Sequence, residues 1–441
     1  SLGEMTTMLQ NIESIKVPFG FAVTARAFDD FLNFNNIKVD NIIKEFWTEY
    51  KTISDLANFG KHLREKINNG KFPDTMKSEI LEAFHKLNCE VAVRSSSTAE
   101  DMPDASFAGQ QDTYLNVGES DLFNKIRQCF ASLYNDRAIS YRSTTKYGNC
   151  KISLSVAIQK MVRSDKGSAG VAFSLDTETG FDKVIVINGA FGLGELVVGG
   201  NIQPDEFIIF KEKMTIIDKK LGSKKMKMIY GKSGTTEIET SESERNQFCL
   251  TEENIRLLGN WVSLIENHYQ CFVDVEWAFD GDELYIVQAR PETVHSNKDK
   301  TKMIQYSFPK NQEKKLLFSG IAVGDKIATG NVRKMEKITD LFEEGDVLVT
   351  DITNPDWEPI MKKASAIVTN KGGRTCHAAI VARELGVTAI VGSDVATKVL
   401  ENNQKITVSC GEGEVGFVYE GEYKYDKREI DLKSLPKSKT K

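Results

Sequence analysis

Apolar and polar positions change period several times along the chain, and each change marks an element. Over Glu79–Leu87 the residues Ile80, Leu81, Phe84 and Leu87 share one stripe at helical spacing. Val91-Ala-Val93 reads as a short buried strand that runs into a polar loop from Ser95 to Asp104. Leu122–Tyr141 returns to helical spacing, so residues 1–150 alternate helices with short strands. Strand patterns dominate from Lys151 to Gln203, at Ile152–Val162 and Lys183–Asn188, with a Gly-rich stretch at Gly189–Gly200. Gln247–His268 is helical. The clearest hairpin joins Phe272–Phe279 to Glu283–Arg290 through the turn Asp280-Gly281-Asp282.

After this hairpin the pattern fades. Residues 296–315 are polar and Lys-rich with little core material and read as a linker. Residues 316–425 form a compact second domain. Its strands are expected at Asp346–Val349, Ala366–Thr369, Ala389–Val391, Lys405–Ser409 and Gly416–Tyr419, its helices at Trp357–Ala364 and His377–Leu385. Residues 426–441 are a charged tail. The expectation is an α/β (α+β) protein with a large domain over 1–295 and a smaller one after the linker.

Composition narrows this picture. The 441 residues suffice for two or three domains. A net charge of −6 supplies no basic field for nucleic acid, and the Lys pairs at 219–220 and 224–225 read as solvated loop charge. No apolar run approaches the roughly 20 residues that span a bilayer, so no membrane contact is expected. The seven dispersed cysteines lack CxxC spacing, which fits free thiols in a reducing compartment, and the expected location is cytoplasmic. The opening Ser1-Leu-Gly-Glu-Met5 already reads as the inside of a helix, so a piece of a longer protein is expected.

Three places carry chemistry. At the first, a strand ends at Thr369, a Gly372-Gly373 loop follows, and a helix starts near His377 and stops at Gly386. Such a histidine faces the positive helix end, the glycines admit a phosphate close to the backbone, and Arg374 can pair with its oxygens. An imidazole with an ordinary pKa near ~6.5 is a competent nucleophile. The pattern equally fits a polar helix start behind a plain turn. At the second, Arg94 ends a buried strand, where it can hold phosphate or an ion pair with Glu100 or Asp101. At the third, Asp274 and Glu276 share one strand face and Gln288 and Arg290 the facing one. Those four suit Mg²⁺ and phosphate, or cross-strand ion pairing alone.

Residues 372–392, Gly-Gly-Arg-Thr-Cys-His-Ala-Ala-Ile-Val-Ala-Arg-Glu-Leu-Gly-Val-Thr-Ala-Ile-Val-Gly, resemble the phosphohistidine signature of phosphoenolpyruvate-utilising enzymes. Within these the nearest resemblance is to the phosphoenolpyruvate synthase (pyruvate, water dikinase) family. Thr388 stands where proline is usual. Asn354–Val368 and Ile406–Gly413 are similar to that family as well. Val91–Gln111 resembles its nucleotide-binding signature, with Ser97 in place of a usual alanine.

The resemblance implies an ATP-grasp domain followed by a smaller swivelling α/β phosphohistidine domain. It makes His377 the catalytic nucleophile and Gly372, Gly373, Arg374 and Thr375 its loop. It assigns Arg94, Arg137, Asp274, Glu276, Gln288 and Arg290 to ATP, with Glu276 and Gln288 on Mg²⁺ and Glu195 of Phe191-Gly-Leu-Gly-Glu195 nearby. The implied reaction is ATP + pyruvate + water to AMP + phosphate + phosphoenolpyruvate through phosphohistidine, this chain covering the ATP half. Pyruvate and phosphoenolpyruvate belong to a further barrel expected beyond residue 441, and a phosphate-binding Gly-Gly-Lys segment is expected before Ser1. The family also implies a regulatory kinase acting on Thr375, whose alternative role is a helix cap. An assembly of like chains is compatible with the sequence. Other acceptors, as in pyruvate, phosphate dikinase or an antibiotic phosphotransferase, and a non-catalytic nucleotide-binding or phosphocarrier module remain alternatives. The Arg-Thr-Cys-His context favours the synthase.

Overall fold

A computed structural model describes residues 2–9, 15–39, 53–97, 101–102, 105–106, 112–136, 138–139, 152–231, 234–292, 302–338, 342–374 and 376–431. The chain divides into two units. The first comprises residues 1–174, 183–195 and 205–291, the second 175–182, 196–204 and 292–441.

Among the described residues, the first unit holds two large sheets and two two-stranded ones. One large sheet is four-stranded and antiparallel, in the order Gly20–Val23, Leu154–Lys160, Val91–Ser97, Thr113–Val117. Helices Ala25–Phe34, Ile53–Asn68, Asp74–Leu87 and Glu119–Ser132 supply the apolar face that covers it, with Phe28, Phe31, Phe72 and Phe130 packed ring against ring. The expected stripe buries Ile80 and Phe84 fully, while Leu81 and Leu87 sit at its margin. The helical stretch expected over Leu122–Tyr141 is the helix Glu119–Ser132, then a turn at 133–135 and helical residues at 136, 138 and 139, with 137, 140 and 141 outside the described residues. The strand expected at Val91–Val93 continues to Ser97, because Ser95, Ser96 and Ser97 pair with Val156, Ser155 and Leu154. Backbone pairing there overrides polar side chains.

The other large sheet is six-stranded, in the order Thr215–Lys220, Asp205–Phe210, Val184–Phe191, Ser168–Phe173, Val273–Phe279, Leu284–Pro291. Helix Glu252–Tyr269 packs on it through Ile255, Leu258, Trp261, Val262 and Ile265. It starts five residues later than the spacing suggested, because the Thr251 side chain accepts the Asn254 N–H at 3.2 Å and caps it there.

The second unit is built on a closed seven-stranded barrel that the sequence pattern did not disclose. Its order is Leu316–Val323, Thr388–Val391, Ala366–Thr369, Val347–Thr350, Ile327–Lys334, Lys405–Ser409, Val415–Glu420. Pairing is parallel from Ile327–Lys334 through Val347–Thr350 and Ala366–Thr369 to Thr388–Val391. Side chains alternate between two cores. Val347, Val349, Ala366, Val368 and Ile390 join a cluster fed by all seven strands. Leu348, Ile367, Ala389 and Val391 turn the other way, onto helix His377–Leu385. The helix expected over Trp357–Ala364 is shorter, a 3₁₀ turn at Pro355–Trp357 followed by Glu358–Met361. Segments read as linker and tail contain the strands Lys302–Ser307 and Asp426–Asp431, which pair antiparallel with each other.

Candidate active site

The loop that carries His377 is fixed from its base. Strands Val347–Thr350 and Ala366–Thr369 are parallel neighbours, so the loops leaving their C-terminal ends emerge side by side. Asn370 N–H donates to Thr350 O at 3.2 Å and Lys371 N–H to Asp351 O at 2.9 Å. The Asn370 amide donates to the Asp351 carboxylate at 3.0 Å and to Thr397 Oγ1 at 2.6 Å. Gly372 follows at φ +114°, a left-handed region that only glycine enters at low cost. A Cβ there would meet Cys376 Sγ at 2.7 Å.

The helix begins where the spacing placed it, at His377, and ends at Gly386 with φ +66°. Cys376 occupies the N-cap position and makes no side-chain cap bond. Thr375 lies outside the described residues, but the cap itself is Cys376, one residue later than the expected threonine cap. Cys376 is buried, and burial raises its thiol pKa. Arg374, expected on phosphate, pairs with Glu414 at 3.1 Å.

The imidazole has a partner that the sequence reading did not name. Thr353, buried in the loop after strand Val347–Thr350, places its hydroxyl 3.2 Å from His377 Nδ1. Thr353 immediately precedes the family-like stretch Asn354–Val368, which is the one signal that could have drawn attention to it.

In the first unit the four hairpin residues do come together. Asp274 faces Arg290, and Glu276 faces Gln288 directly across the two strands. Arg290 Nε and Nη2 donate to Asp274 Oδ2 at 2.8 and 2.6 Å. Burial raises the Asp274 pKa, and the Arg290 charge opposes that rise. Arg94 reaches over from the other sheet, and its Nη2 donates to both Glu276 and Gln288. Arg94 therefore forms an ion pair, with Glu276. Glu100 and Arg137 lie outside the described residues. Glu195 opens the helix Glu195–Val198, its pKa raised by burial and then by Glu237. Glu276 and Gln288 offer two oxygen donors, a set suited to Mg²⁺, which keeps waters and takes few protein ligands. Among the described residues no group of three or more His, Cys, Asp or Glu side chains could hold a metal. No helix among them is long and apolar enough to cross a membrane.

An α/β unit with arginines and carboxylates gathered between two sheets, and a smaller unit with a histidine behind a glycine loop, describe a nucleotide-binding domain joined to a histidine-bearing one. Family comparison bears this out. Residues 1–310 match the pyruvate phosphate dikinase AMP/ATP-binding domain, and residues 342–413 match the mobile domain of phosphoenolpyruvate-utilising enzymes. The chain belongs to the pyruvate phosphate dikinase AMP/ATP-binding domain family. It is 49% identical to a phosphoenolpyruvate synthase of Aquifex aeolicus, over 100% of this chain and 55% of that protein. Identity is 47% to the Helicobacter pylori phosphoenolpyruvate synthase, over 100% of this chain and 58% of that protein. The Escherichia coli phosphoenolpyruvate synthase is 44% identical, over 99% of this chain and 57% of that protein. The chain thus spans a little over half the length of these relatives.

Proposed function

We propose that this chain performs the ATP half of a phosphoenolpyruvate synthase reaction, with His377 as phosphoryl carrier. One observation carries the reading: a histidine that opens a nine-residue helix behind a positive-φ glycine, its Nδ1 held by Thr353. A ring held at one nitrogen presents the other in a fixed direction, and the helix N-terminus favours negative charge there. The reaction is assigned to Nε2, which attacks the β-phosphorus of ATP as AMP departs. Water then cleaves the pyrophosphohistidine to phosphate and phosphohistidine. In the longer protein the phosphoryl group passes to pyruvate, which requires the histidine domain to travel between two sites.

Arg94 and Arg290 bind the polyphosphate in this reading, with Asp274 orienting Arg290 through their paired bonds. Glu276 and Gln288 would hold Mg²⁺, which supplies charge neutralisation on the phosphates. Arg137 and Glu195 are assigned to the same nucleotide. Phosphate placed on Thr375 by a regulatory kinase would oppose a second phosphate at His377 through like charge. A cytoplasmic location fits this chemistry. Incubation with Mg²⁺ and ATP labelled at the β-phosphate should leave an acid-labile label on the protein. Label that persists in His377→Ala would sink the assignment.

A further inference from the structure

Two stretches from the first half of the chain belong to the second unit, residues 175–182 and 196–204. The first is a self-supporting turn. Asp176 N–H donates to Phe181 O at 3.0 Å, and Gly180 N–H to Asp176 O at 2.8 Å. The Asp176 carboxylate accepts from Glu178 N–H at 3.0 Å and from Thr179 Oγ1 at 2.6 Å. An aspartate that bonds the next residues in this way holds a turn in one shape, so Glu178 stands on a fixed platform. Its carboxylate pairs with Arg383, six residues beyond His377 on the same helix. The two side chains keep only 16% and 7% of their exposure. Arg383 Nε is buried and has no hydrogen-bond partner among the described residues. A guanidinium so poorly served by solvent depends on this carboxylate, and removal of either partner is costly.

The second stretch meets the histidine loop by shape. Its turn is closed by Gly200 N–H to Val197 O at 3.0 Å and Asn201 N–H to Leu196 O at 2.9 Å. Gly200 has φ +68°, and a Cβ on it would overlap Cα and Cβ of Cys376, the residue before His377. A Cβ on Gly373 would come within 3.9 Å of the Pro204 ring. One stretch therefore grips the histidine helix by charge and the other admits its first turn only because residue 200 has no side chain.

We propose that Glu178 and Gly200 form a seat that registers the His377 helix for phosphoryl transfer from ATP. Glu178 acts through Arg383 and Gly200 through Cys376, so both are positioning residues. The inference rests on the function proposed above, and a readout free of that chemistry keeps the two apart. Hydrogen exchange should rise in both 196–204 and 372–385 in Glu178→Arg and in Gly200→Ala, with the melting curve still cooperative. In the same variants, labelling of His377 from β-labelled Mg-ATP should slow about tenfold or more, since small misplacements near a reacting group are that costly. Labelling by potassium phosphoramidate, a small donor that needs no seat, should stay within about twofold, because it draws on no such positioning. The charge-reversed pair Glu178→Arg/Arg383→Glu should recover part of the ATP rate. Unchanged exchange, equal loss with both donors, or no recovery in the reversed pair would overturn the seat. If exchange responds as stated but the parent chain takes no label from ATP, the seat stands and the histidine reading above fails.

Discussion

Thr353 Oγ1 lies 3.2 Å from Nδ1 of His377, although 24 residues separate them. The bond joins the loops that leave two parallel strands, so the barrel, not the local sequence, sets the direction of the ring. Thr353→Val removes the hydroxyl at similar size. A lost hydrogen bond of about 1 kcal/mol corresponds to a labelling rate several-fold to about tenfold slower, with Thr353→Ser keeping most of the rate. Single-turnover labelling of His377 measures this. Parent-like labelling in the valine variant would remove Thr353 from the role.

Arg94 bridges the two large sheets of the first unit through Glu276 and Gln288. Arg94→Ala leaves the Glu276 carboxylate half-buried without its cation. The expected cost is about 2–3 kcal/mol in urea unfolding, below that of a fully buried pair because Glu276 keeps some solvent. Nucleotide affinity should fall about 100-fold, following the loss of a bidentate phosphate contact. Arg94→Lys should fall between, since an ammonium keeps the charge but not the fork. Equal nucleotide affinity in the alanine variant and the parent would remove Arg94 from the phosphate site.

Gly372 has both reasons to be glycine, a φ of +114° and Cys376 Sγ at 2.7 Å from where a Cβ would sit. Gly372→Ala should cost about 1–3 kcal/mol in stability. It should also depress His377 labelling by more than the stability loss explains, because the loop must shift to admit the methyl. Calorimetry paired with labelling separates the two effects, and a variant that is destabilised yet labels normally would show that the loop shape is not tied to the chemistry.

Elements whose cause is local were legible before the fold was known. Helix His377–Leu385 has the bounds the spacing suggested, and the hairpin strands fall within one residue of theirs. Features with a distant cause were not. Strands Leu316–Val323 and Ile327–Lys334 contain Gly320 and Gly330, which blunt the strand signal. The barrel needs them, since a Cβ on Gly320 would meet Ile390 at 2.7 Å and one on Gly330 would meet Gly345 O at 2.5 Å. Pairing of Lys302–Ser307 with Asp426–Asp431 rests on backbone bonds that hydrophobic patterning does not register. Arg94 was read against its sequence neighbours, yet its carboxylate partner lies 182 residues away. That the hairpin gathers Asp274, Glu276, Gln288 and Arg290 was foreseeable, but the pairs Asp274–Arg290 and Glu276–Gln288 arise from a register shift between Glu276 and Trp277 that patterning does not register.

Asp351 ties the base of the histidine loop and should give it a measurable acid response. Its carboxylate pairs with Lys371 Nζ at 2.8 Å and accepts from the Asn370 amide at 3.0 Å. The Lys371 bond holds its pKa below the ordinary value; burial opposes it, and the Asn370 bond and the Lys371 and Lys398 charges add to the lowering. A carboxyl with a depressed folded pKa binds its proton more readily when unfolded. The stability it adds is therefore present above the unfolded value of about 4 and is lost as pH falls through the lower folded value. The melting temperature of the parent should exceed that of Asp351→Asn by a constant margin from about pH 5 to 7, and the margin should shrink below about pH 4. Both partners are more than half exposed, 58% and 52%, so the margin is small and should narrow further with added salt. A margin that persists unchanged at about pH 3 would mean that the aspartate acts through shape alone and not through its charge.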